Sequence, residues 1–196
     1  MNEKPIVGIT MGDPAGNGPE ITVKALAHEE LYDRCRPIVV GDAKMIEQAA
    51  RFVGRPDIRI HRCQKVEDAL FAPGTIDVLH LELIPDAASF SIGKVSAEGG
   101  NAAFQCVKKV IELALAGEVD ATCTNALNKE AMNMALEQDH GKHSDGYTHF
   151  DGHTEIYAAY TNTKKYTMML AHHDLRVVHV STHVSLREAC ERVKKA

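Results

Sequence analysis

The stretch "PIVGITMGDPAGNGPEITVKALA", residues 5–27, decides the fold because its pattern changes part of the way along. Residues 5–10 form a short and mostly apolar run, which is typical of a buried strand. Pro19 then suits the first turn of a helix. A core face for that helix is provided by Ile21, Val23, Ala25 and Leu26. The stretch therefore predicts a strand, a glycine-rich turn and a helix in succession.

The rest of the chain repeats this alternation. Strands are predicted in "RPIVVGD" (36–42), "DIRIHRC" (57–63), "TIDVLHLEL" (75–83), "VDATCTN" (119–125), "KYTMMLAH" (165–172) and "LRVVHVSTHV" (175–184). Helices are predicted in "AKMIEQAARFV" (43–53), "NAAFQCVKKVIELALAG" (101–117), "NKEAMNMAL" (128–136) and "SLREACERVKKA" (185–196), the last capped by Ser185. Alternating strands and helices predict an α/β fold with a largely parallel sheet. Ligands of such sheets bind beyond the C-terminal ends of the strands, which directs attention to the loops "MGDPAGNGPE", "GDAK", "TNALNKE" and "STHVSLRE".

Composition excludes several classes of function. The 196 residues are 44% hydrophobic with a net charge of -5, and no basic stripe of a nucleic-acid-binding protein is present. No apolar run approaches the ~18 residues that span a bilayer, and the first ten residues lack a signal-peptide pattern. The five cysteines are widely spaced and odd in number, which favours reduced thiols in the cytoplasm. We expect Cys106 and Cys123 to be buried structural residues.

The loop "MGDPAGNGPE" has three glycines but matches neither a dinucleotide-binding fingerprint nor a Walker A loop. It places free backbone amides at the start of a helix, which suits an anion, and it is equally typical of a tight structural turn. "TNALNKEA" leaves a similar choice. Asn125, Asn128 and Lys129 follow a predicted strand, and Lys129 either meets an anion or is solvated in the first turn of a helix.

His179 and His183 are four residues apart, the spacing of a metal-binding pair on a helix. The valines around them favour a strand, in which the two side chains would lie about 13 Å apart on one face. A single ion cannot join them there. We expect His183, near the C-terminal end of the strand, to be a candidate metal ligand. We expect His179, which lies deeper in the strand, to be a core or interface histidine.

The run Gly152-His153-Thr154-Glu155 precedes a predicted helix. It is typical of a helix N-terminus, but it also places an imidazole and a hydroxyl beside free backbone amides. Such groups suit a phosphorylated or carboxylated substrate. The segment before it contains three more histidines, His140, His143 and His149, but its glycines, serine and aspartate are typical of a mobile surface loop and not of a metal site.

Four motifs together resemble one family. "ITMGDPAGNGPEI", "TNALNKEA", "GHTEIYA" and "STHVSLREA", in this order, resemble the 4-hydroxythreonine-4-phosphate dehydrogenase family, and most closely its D-threonate/D-erythronate 4-phosphate dehydrogenase branch. The resemblance covers residues 4–195. It implies an isocitrate-dehydrogenase-like α/β fold and a homodimer with active sites at the subunit interface. Residues 1–196 would be the N-terminal portion of such a chain, spanning parts of two α/β subdomains without a clear linker, with the C-terminal part missing.

The resemblance also implies a reaction. An NAD- and divalent-metal-dependent enzyme would oxidise a secondary alcohol beside a phosphorylated carbon chain, and the ketone, which is β to a carboxylate, would lose carbon dioxide. His153 and Thr154 match the substrate-binding pair of the family, and His183 matches the first of its three metal-binding histidines. The other metal ligands, the remaining substrate-binding residues and most cofactor contacts lie beyond residue 196 in the family. The catalytic and cofactor-binding residues therefore stay unassigned.

Two local departures from the family pattern lead to expectations of their own. The segment 137–150 is about ten residues longer than the usual spacing before the Gly-His-Thr-Glu run, which places an extra loop beside the substrate. Asn17 stands where the family has an aliphatic residue, and we expect it to disturb packing under the first turn. Three alternatives stay open: oxidation of 4-hydroxythreonine 4-phosphate in pyridoxal phosphate synthesis, an inactive truncated remnant, and an unrelated α/β phosphate-binding protein.

Overall fold

The computed structural model describes residues 4–181 and 184–194. Its strands are β1 (Ile6–Thr10), β2 (Arg36–Gly41), β3 (Arg59–Cys63), β4 (Thr75–His80), β5 (Ala121–Cys123), β6 (Met169–His172) and β7 (Leu175–Val178). Its helices are α1 (Gly18–Leu26), α2 (Ala43–Phe52), α3 (Ala97–Leu115), α4 (Lys129–Gln138), α5 (His153–Tyr160) and α6 (Leu186–Arg192), with short 3-10 turns at Glu29–Leu31 and Val66–Asp68.

Five of the strands form one parallel sheet in the order β3-β4-β2-β1-β5. The prediction of an α/β fold with a largely parallel sheet is therefore confirmed. β2 lies in the middle of the sheet, where Ile38, Val39 and Val40 are fully buried. A strand that is buried on both faces needs a continuous apolar run, which explains the "PIVV" sequence of β2.

Each face of the sheet carries its own apolar layer. Because successive strand residues point to opposite faces, Val39 and Ile38 belong to different layers. α1 and α2 pack Val23 and Ile46 into the layer of Val39, whereas α3 packs Val110 into the layer of Ile38. The helices thereby cover both faces of the sheet, whereas the ends of the strands are left uncovered.

A third apolar cluster joins α3, α4 and α5 beside the sheet. The Phe104 and Phe150 rings stack with their centroids 5.9 Å apart, and Met132 and Ile156 are fully buried against them. α3 and α4 meet so closely that a Cβ added to Gly100 would lie 2.0 Å from the backbone oxygen of Ala131. This contact fixes the first turn of α4 against α3, and Phe150 anchors the segment that leads into α5.

The C-terminal strands do not join the sheet. β6 and β7 pair with each other as an antiparallel hairpin, and all eight of their residues are exposed. The strand predicted for 175–184 ends at Val178, since the register of the hairpin places no partner strand beside Val180. α6 follows, and the Ser185 side chain accepts a hydrogen bond from the Glu188 backbone at 3.3 Å, so the predicted cap is confirmed.

Several predictions about single residues are settled by burial. Cys106 is buried as expected, but Cys123 is exposed because β5 is the last strand at its edge of the sheet. Asn17 is exposed at the start of α1 and puts no polar group into the core, so the expected disturbance of packing under the turn is wrong. Among the described residues, no helix is long and apolar enough to cross a membrane.

The segment 137–150 is mostly exposed, as predicted for a surface loop, and it packs against the helices. Asp145 forms an ion pair of 2.8 Å with Lys108 of α3, and the Gly146 backbone donates to the Gly141 carbonyl at 2.9 Å. The Ser144 side chain is fully buried and donates to the Tyr147 carbonyl. Glycines at positive φ are common in such turns, but these contacts give the segment a defined path beside α5.

Candidate functional site

The site is built on the loops that follow β1 and β5, whose ends are neighbours in the sheet. The Asp13 backbone donates to the Ala126 carbonyl at 2.9 Å, and the Asn125 backbone donates to the Thr10 side chain at 2.8 Å. Gly12 has a φ of +79°, and a Cβ at this position would lie 2.5 Å from the same Ala126 oxygen. Only glycine permits this turn and this approach. The two loops therefore form one rigid floor at the C-terminal edge of the sheet.

The two asparagines of "TNALNKEA" are occupied by structural contacts. The Asn125 amide donates to the Thr22 hydroxyl at 2.7 Å and to the Gly18 carbonyl at 3.1 Å, which ties the β5 loop to α1. The Asn128 side chain accepts from the Ala131 backbone at 3.0 Å and caps α4. Of the three residues that the sequence singled out in this motif, Lys129 is left for a ligand.

α5 begins directly beside this floor. Gly152 supplies no side-chain cap, and the first helical hydrogen bond in the segment runs from the Ile156 backbone to the Gly152 carbonyl at 3.3 Å. The backbone N–H groups of His153, Thr154 and Glu155 precede that bond, so they have no helical acceptor. Together with the positive end of the helix dipole, such amides attract an anion.

His153 carries the most informative side chain of the site. Its Nε2 atom is buried and has no hydrogen-bond partner. Burial lowers the pKa of the imidazole from its ordinary value near 6.5, a hydrogen bond with the Asn125 backbone raises it, and the Lys129 charge lowers it further. A backbone group that favours the charged ring is a carbonyl, and we infer from this that Nδ1–H faces Asn125 and that Nε2 carries the lone pair. The neutral ring thus presents an unsatisfied acceptor, which is costly to bury without a partner.

Lys129 is the charged neighbour of this acceptor. It is the first residue of α4, is exposed, and forms no ion pair with a carboxylate in the part of the chain that the structure describes. Its Nζ atom lies 3.7 Å from the position that a Cβ of Gly152 would occupy, so it stands at the N-terminus of α5. The ammonium group and the free amides therefore converge on one region, where Oε2 of Glu155 also lies 3.5 Å from the same position.

These groups line an open cleft with a volume of about 550 Å³. One wall is formed by Leu127, Lys129 and residues 151–155, and the other by Tyr166, Thr167, Met168, His179, Val180, Ser181, Val184 and Arg192. Thr154 and Glu155 are half-buried on the first wall. The cleft is large enough for a small phosphorylated acid, and its lining is mostly polar, unlike the mostly apolar lining of typical small-molecule pockets.

The sequence-predicted residues are distributed unevenly with respect to this cleft. His153 and Thr154 line it, whereas His183 lies outside the described residues. His179 was predicted to lie deep in a strand, which is wrong. It follows the end of β7 and lines the cleft, and its carbonyl accepts a hydrogen bond from the Thr167 hydroxyl at 2.7 Å.

The polar residues of the GDAK loop and of residues 137–150 make contacts within the protein outside the cleft or on its border. Asp42 of "GDAK" is fully buried and accepts from the Lys44 and Ile84 backbones at 2.9 Å each, so it caps α2. His143 is bonded to Asp139 at 2.7 Å and His149 to Asp151 at 3.4 Å. These two histidines bond to different carboxylates.

The first loop borders a second, shallower cleft of about 320 Å³. Asp13 lines it, and burial raises the pKa of this carboxyl against the opposing effect of the hydrogen bond from the Ala15 backbone. Lys94 and Asn128 also face this cleft. Asp13 is part of the strand-Gly-Asp ending that the sequence shows at residues 10–13, but this pattern by itself assigns no role to the carboxyl group.

The described residues do not by themselves fit a catalytic metal or a dinucleotide. The only group of three metal-ligating side chains found among residues 4–181 and 184–194 lies away from the cleft. A catalytic metal site needs about three protein ligands, so residues outside the described part would have to supply them. The glycines of the first loop likewise form no dinucleotide fingerprint.

Comparison with known proteins identifies the family of the chain. Residues 33–196 match the model of the family described as "Pyridoxal phosphate biosynthetic protein PdxA". The chain belongs to this family. The chain is 43% identical over 190 residues to the D-threonate 4-phosphate dehydrogenase of Cupriavidus necator, an alignment that covers 97% of this chain and 53% of that protein.

Solved structures agree with the family assignment. A 4-hydroxythreonine-4-phosphate dehydrogenase from Burkholderia phymatum superposes with a TM-score of 0.82 at 43% identity, covering 97% of this chain and 53% of that one. One from Klebsiella pneumoniae gives a TM-score of 0.81 at 35% identity, covering 96% of this chain and 53% of that one. The chain thus spans about half the length of the relatives that it matches.

Proposed function

We propose that the protein takes part in the NAD- and divalent-metal-dependent oxidation, with decarboxylation, of a phosphorylated hydroxy acid such as D-threonate 4-phosphate or D-erythronate 4-phosphate. The observation that carries the proposal is the buried, unpartnered Nε2 of His153 in a cleft that also holds Lys129 and the free amides of α5. The dehydrogenase names of the relatives support the type of reaction.

The groups of the cleft have complementary tasks in this proposal. The neutral His153 accepts a hydrogen bond from a substrate hydroxyl at Nε2, and the Thr154 hydroxyl bonds a neighbouring oxygen of the same substrate. Lys129 and the first amides of α5 hold an anionic end, either the phosphate or the carboxylate. A substrate with a hydroxyl close to an anionic group would satisfy both sets at once, which describes a short phosphorylated sugar acid.

The remaining parts of the proposal rest on the resemblance and on the relatives. NAD would accept the hydride, and a divalent metal with His183 as one ligand would polarise the reacting oxygen. Ser181 and Val184, which lie two residues before and one residue after His183 in the sequence, line the cleft. No step is assigned to either group, because the described residues do not complete its site. We further propose a homodimer with active sites at the subunit interface, in which residues 1–196 form parts of two subdomains. We also propose a cytoplasmic location, which the five free cysteines support.

A second candidate is oxidation of 4-hydroxythreonine 4-phosphate, in keeping with the description of the family and the names of the solved structures. This substrate has the same phosphate and hydroxyl but carries an amino group. The carboxylates of Asp151 and Glu155 at the cleft would favour that cation. The name of the Cupriavidus necator relative favours the threonate substrate instead.

The test is NAD reduction by the protein isolated from its source, with intact mass measured on the same sample. D-threonate 4-phosphate, D-erythronate 4-phosphate and 4-hydroxythreonine 4-phosphate are compared, each with a divalent metal. We expect metal-dependent turnover that is fastest with one of the two sugar acids. Fastest turnover with the amino acid would select the second candidate. A mass of 21.4 kDa without turnover would identify an inactive truncated remnant and contradict the proposal.

A further inference from the structure

A second cluster of metal-ligating side chains lies at the opposite edge of the sheet. His61 and Cys63 alternate on β3 and therefore point to the same face, and Asp77 of β4 is the register partner of His61. β3 and β5 are the two edge strands, separated by four strand spacings or about 19 Å. The cluster is thus remote from the His153 cleft, which follows β5.

The three side chains already have the spacing of metal ligands. One donor atom from each residue lies within 4.8 Å of the other two. His61 Nδ1 is 3.5 Å from Cys63 Sγ and 2.8 Å from Asp77 Oδ1. Neighbouring ligands of a tetrahedral zinc ion, with bonds of about 2.0 to 2.3 Å, are about 3.3 to 3.8 Å apart. Binding therefore requires the His61–Asp77 contact to lengthen by about half an ångström, and it requires Cys63 and Asp77, whose donor atoms lie within 4.8 Å, to reach the same range of distances.

The surroundings hold the ligands in place. Cys63 and Asp77 are almost fully buried, and the His61 side chain is partly exposed. The Leu70 and Phe71 backbones donate to the two oxygens of Asp77 at 3.1 Å and 2.7 Å. Such bonds orient a ligating carboxylate and leave each of its oxygens a further lone pair. The exposed side of His61 leaves an entry path and room for water.

Both contacts that the His61 side chain makes within the cluster use the same ring nitrogen. Nδ1 faces Asp77 and Cys63 together, so the group is not a relay in which the carboxylate and the thiol bind opposite ring nitrogens. A nucleophilic triad is therefore excluded by geometry. Convergence of nitrogen, sulfur and oxygen on one point is instead what a shared cation requires.

We propose that His61, Cys63 and Asp77 form a zinc site in which water occupies the fourth position. One nitrogen, one sulfur and one carboxylate oxygen are a donor set that Zn²⁺ accepts, and the thiolate and carboxylate neutralise its charge. Binding converts the Cys63 thiol into a thiolate with release of its proton, and the His61 proton moves from Nδ1 to Nε2. The metal thereby replaces the His61–Asp77 hydrogen bond with coordinate bonds.

Proton release gives the site a dependence on pH. Only the thiolate form of Cys63 binds a metal, so the thiol proton must leave when zinc enters. Zinc must displace that proton, and apparent affinity rises with pH as a result. The site would fasten β3 to β4 and to the backbone at Leu70 and Phe71, which Asp77 already binds.

Cobalt titration of the metal-free chain tests the proposal, because a thiolate bound to Co²⁺ gives a charge-transfer band that imidazole and carboxylate ligands do not. We expect one equivalent of Co²⁺ to produce the band and Zn²⁺ to abolish it. Cys63→Ser should remove the band, and His61→Gln should weaken cobalt binding at least tenfold. A histidine-based metal site in the His153 cleft would not give this signal.

Control variants separate the effect of Cys63 from that of the other cysteines and from a loss of folding. Cys35→Ser and Cys123→Ser, which remove cysteines outside the cluster, should retain the band in full. His61→Gln changes a partly exposed side chain, and its circular dichroism shows whether the fold survives. Absence of the band in the wild-type chain, or its persistence in Cys63→Ser, would overturn the proposal and leave the cluster as a hydrogen-bonded structural group.

Discussion

Strands of similar apolar composition are buried in the five-stranded sheet but exposed in the β6–β7 hairpin. Val39 and Val40 of β2 are fully buried, whereas Val177 and Val178 of β7 are 44% and 53% exposed. The sheet around β2 is covered by helices on both faces, and the β6–β7 hairpin has no covering layer among the described residues. An isolated two-stranded hairpin is marginally stable in water. An apolar pattern therefore predicts a strand, but it does not specify which surface covers the strand.

The proposed site joins these two regions. Its first wall, with His153 and Lys129, is held by the packed sheet and helices, whereas residues 166–168 and His179 of the second wall directly flank the two strands of the hairpin. The groups assigned to substrate binding in the described part thus stand on the rigid wall. If this division is correct, core substitutions and hairpin substitutions will have very different effects on stability.

The largest contrast is expected between Phe104→Ala and Leu170→Ala. Phe104 is fully buried and stacks on Phe150, so truncation leaves a cavity and should lower the free energy of unfolding by about 3 to 5 kcal/mol. Leu170 is 55% exposed, and its truncation should cost less than about 1 kcal/mol. Urea denaturation of both variants measures the difference. Equal losses would show that the hairpin is packed as tightly as the core.

A smaller effect is expected where α3 meets α4. Gly100→Ala places a methyl group 2.0 Å from the Ala131 oxygen, so the helices must separate, at a cost of about 1 to 3 kcal/mol. Gly16→Ala is the matched control, because its methyl group would have its nearest contact at an ordinary 3.5 Å. The same denaturation experiment applies. An unchanged stability of Gly100→Ala would refute the close helix contact that positions Lys129.

The smallest effect concerns pH. Because the folded state lowers the pKa of His153 from about 6.5, the unfolded chain binds more protons just below that pH. The free energy of unfolding should therefore fall as the pH drops below about 6.5, and His153→Gln should remove this part of the slope. His140→Gln, which removes an exposed imidazole, is the control. A His153→Gln slope identical to that of the wild type would contradict the buried neutral ring.

Most of the fold could be predicted from the sequence because its signals are local. The buried run of β2, Pro19 in the first turn of α1 and the Ser185 cap each report on their own neighbours. The errors concern partners that are distant in sequence. Cys123 was expected to be buried, but β5 proved to be an edge strand, and His179 was expected to lie within a strand that in fact ends at Val178.

The candidate site shows the same limit. The Gly-His-Thr-Glu run indicated His153 and Thr154, but nothing local indicated that Nε2 of His153 is buried without a partner or that Asn125 is already bound to Thr22. The cluster of His61, Cys63 and Asp77 was missed altogether. Two of its residues are adjacent on one face of a strand, but the third joins them only through the register of β3 with β4.

Calorimetric titration of the chain with D-threonate 4-phosphate, in the wild type and in His153→Gln, tests the central claim most directly. The wild type should bind saturably. The variant should bind at least about fivefold more weakly, because a buried hydrogen bond to the substrate, worth about 1 to 3 kcal/mol, is lost. Its far-ultraviolet circular dichroism should match that of the wild type. Equal affinities of the two proteins would contradict the assignment of the cleft at α5 as the substrate site.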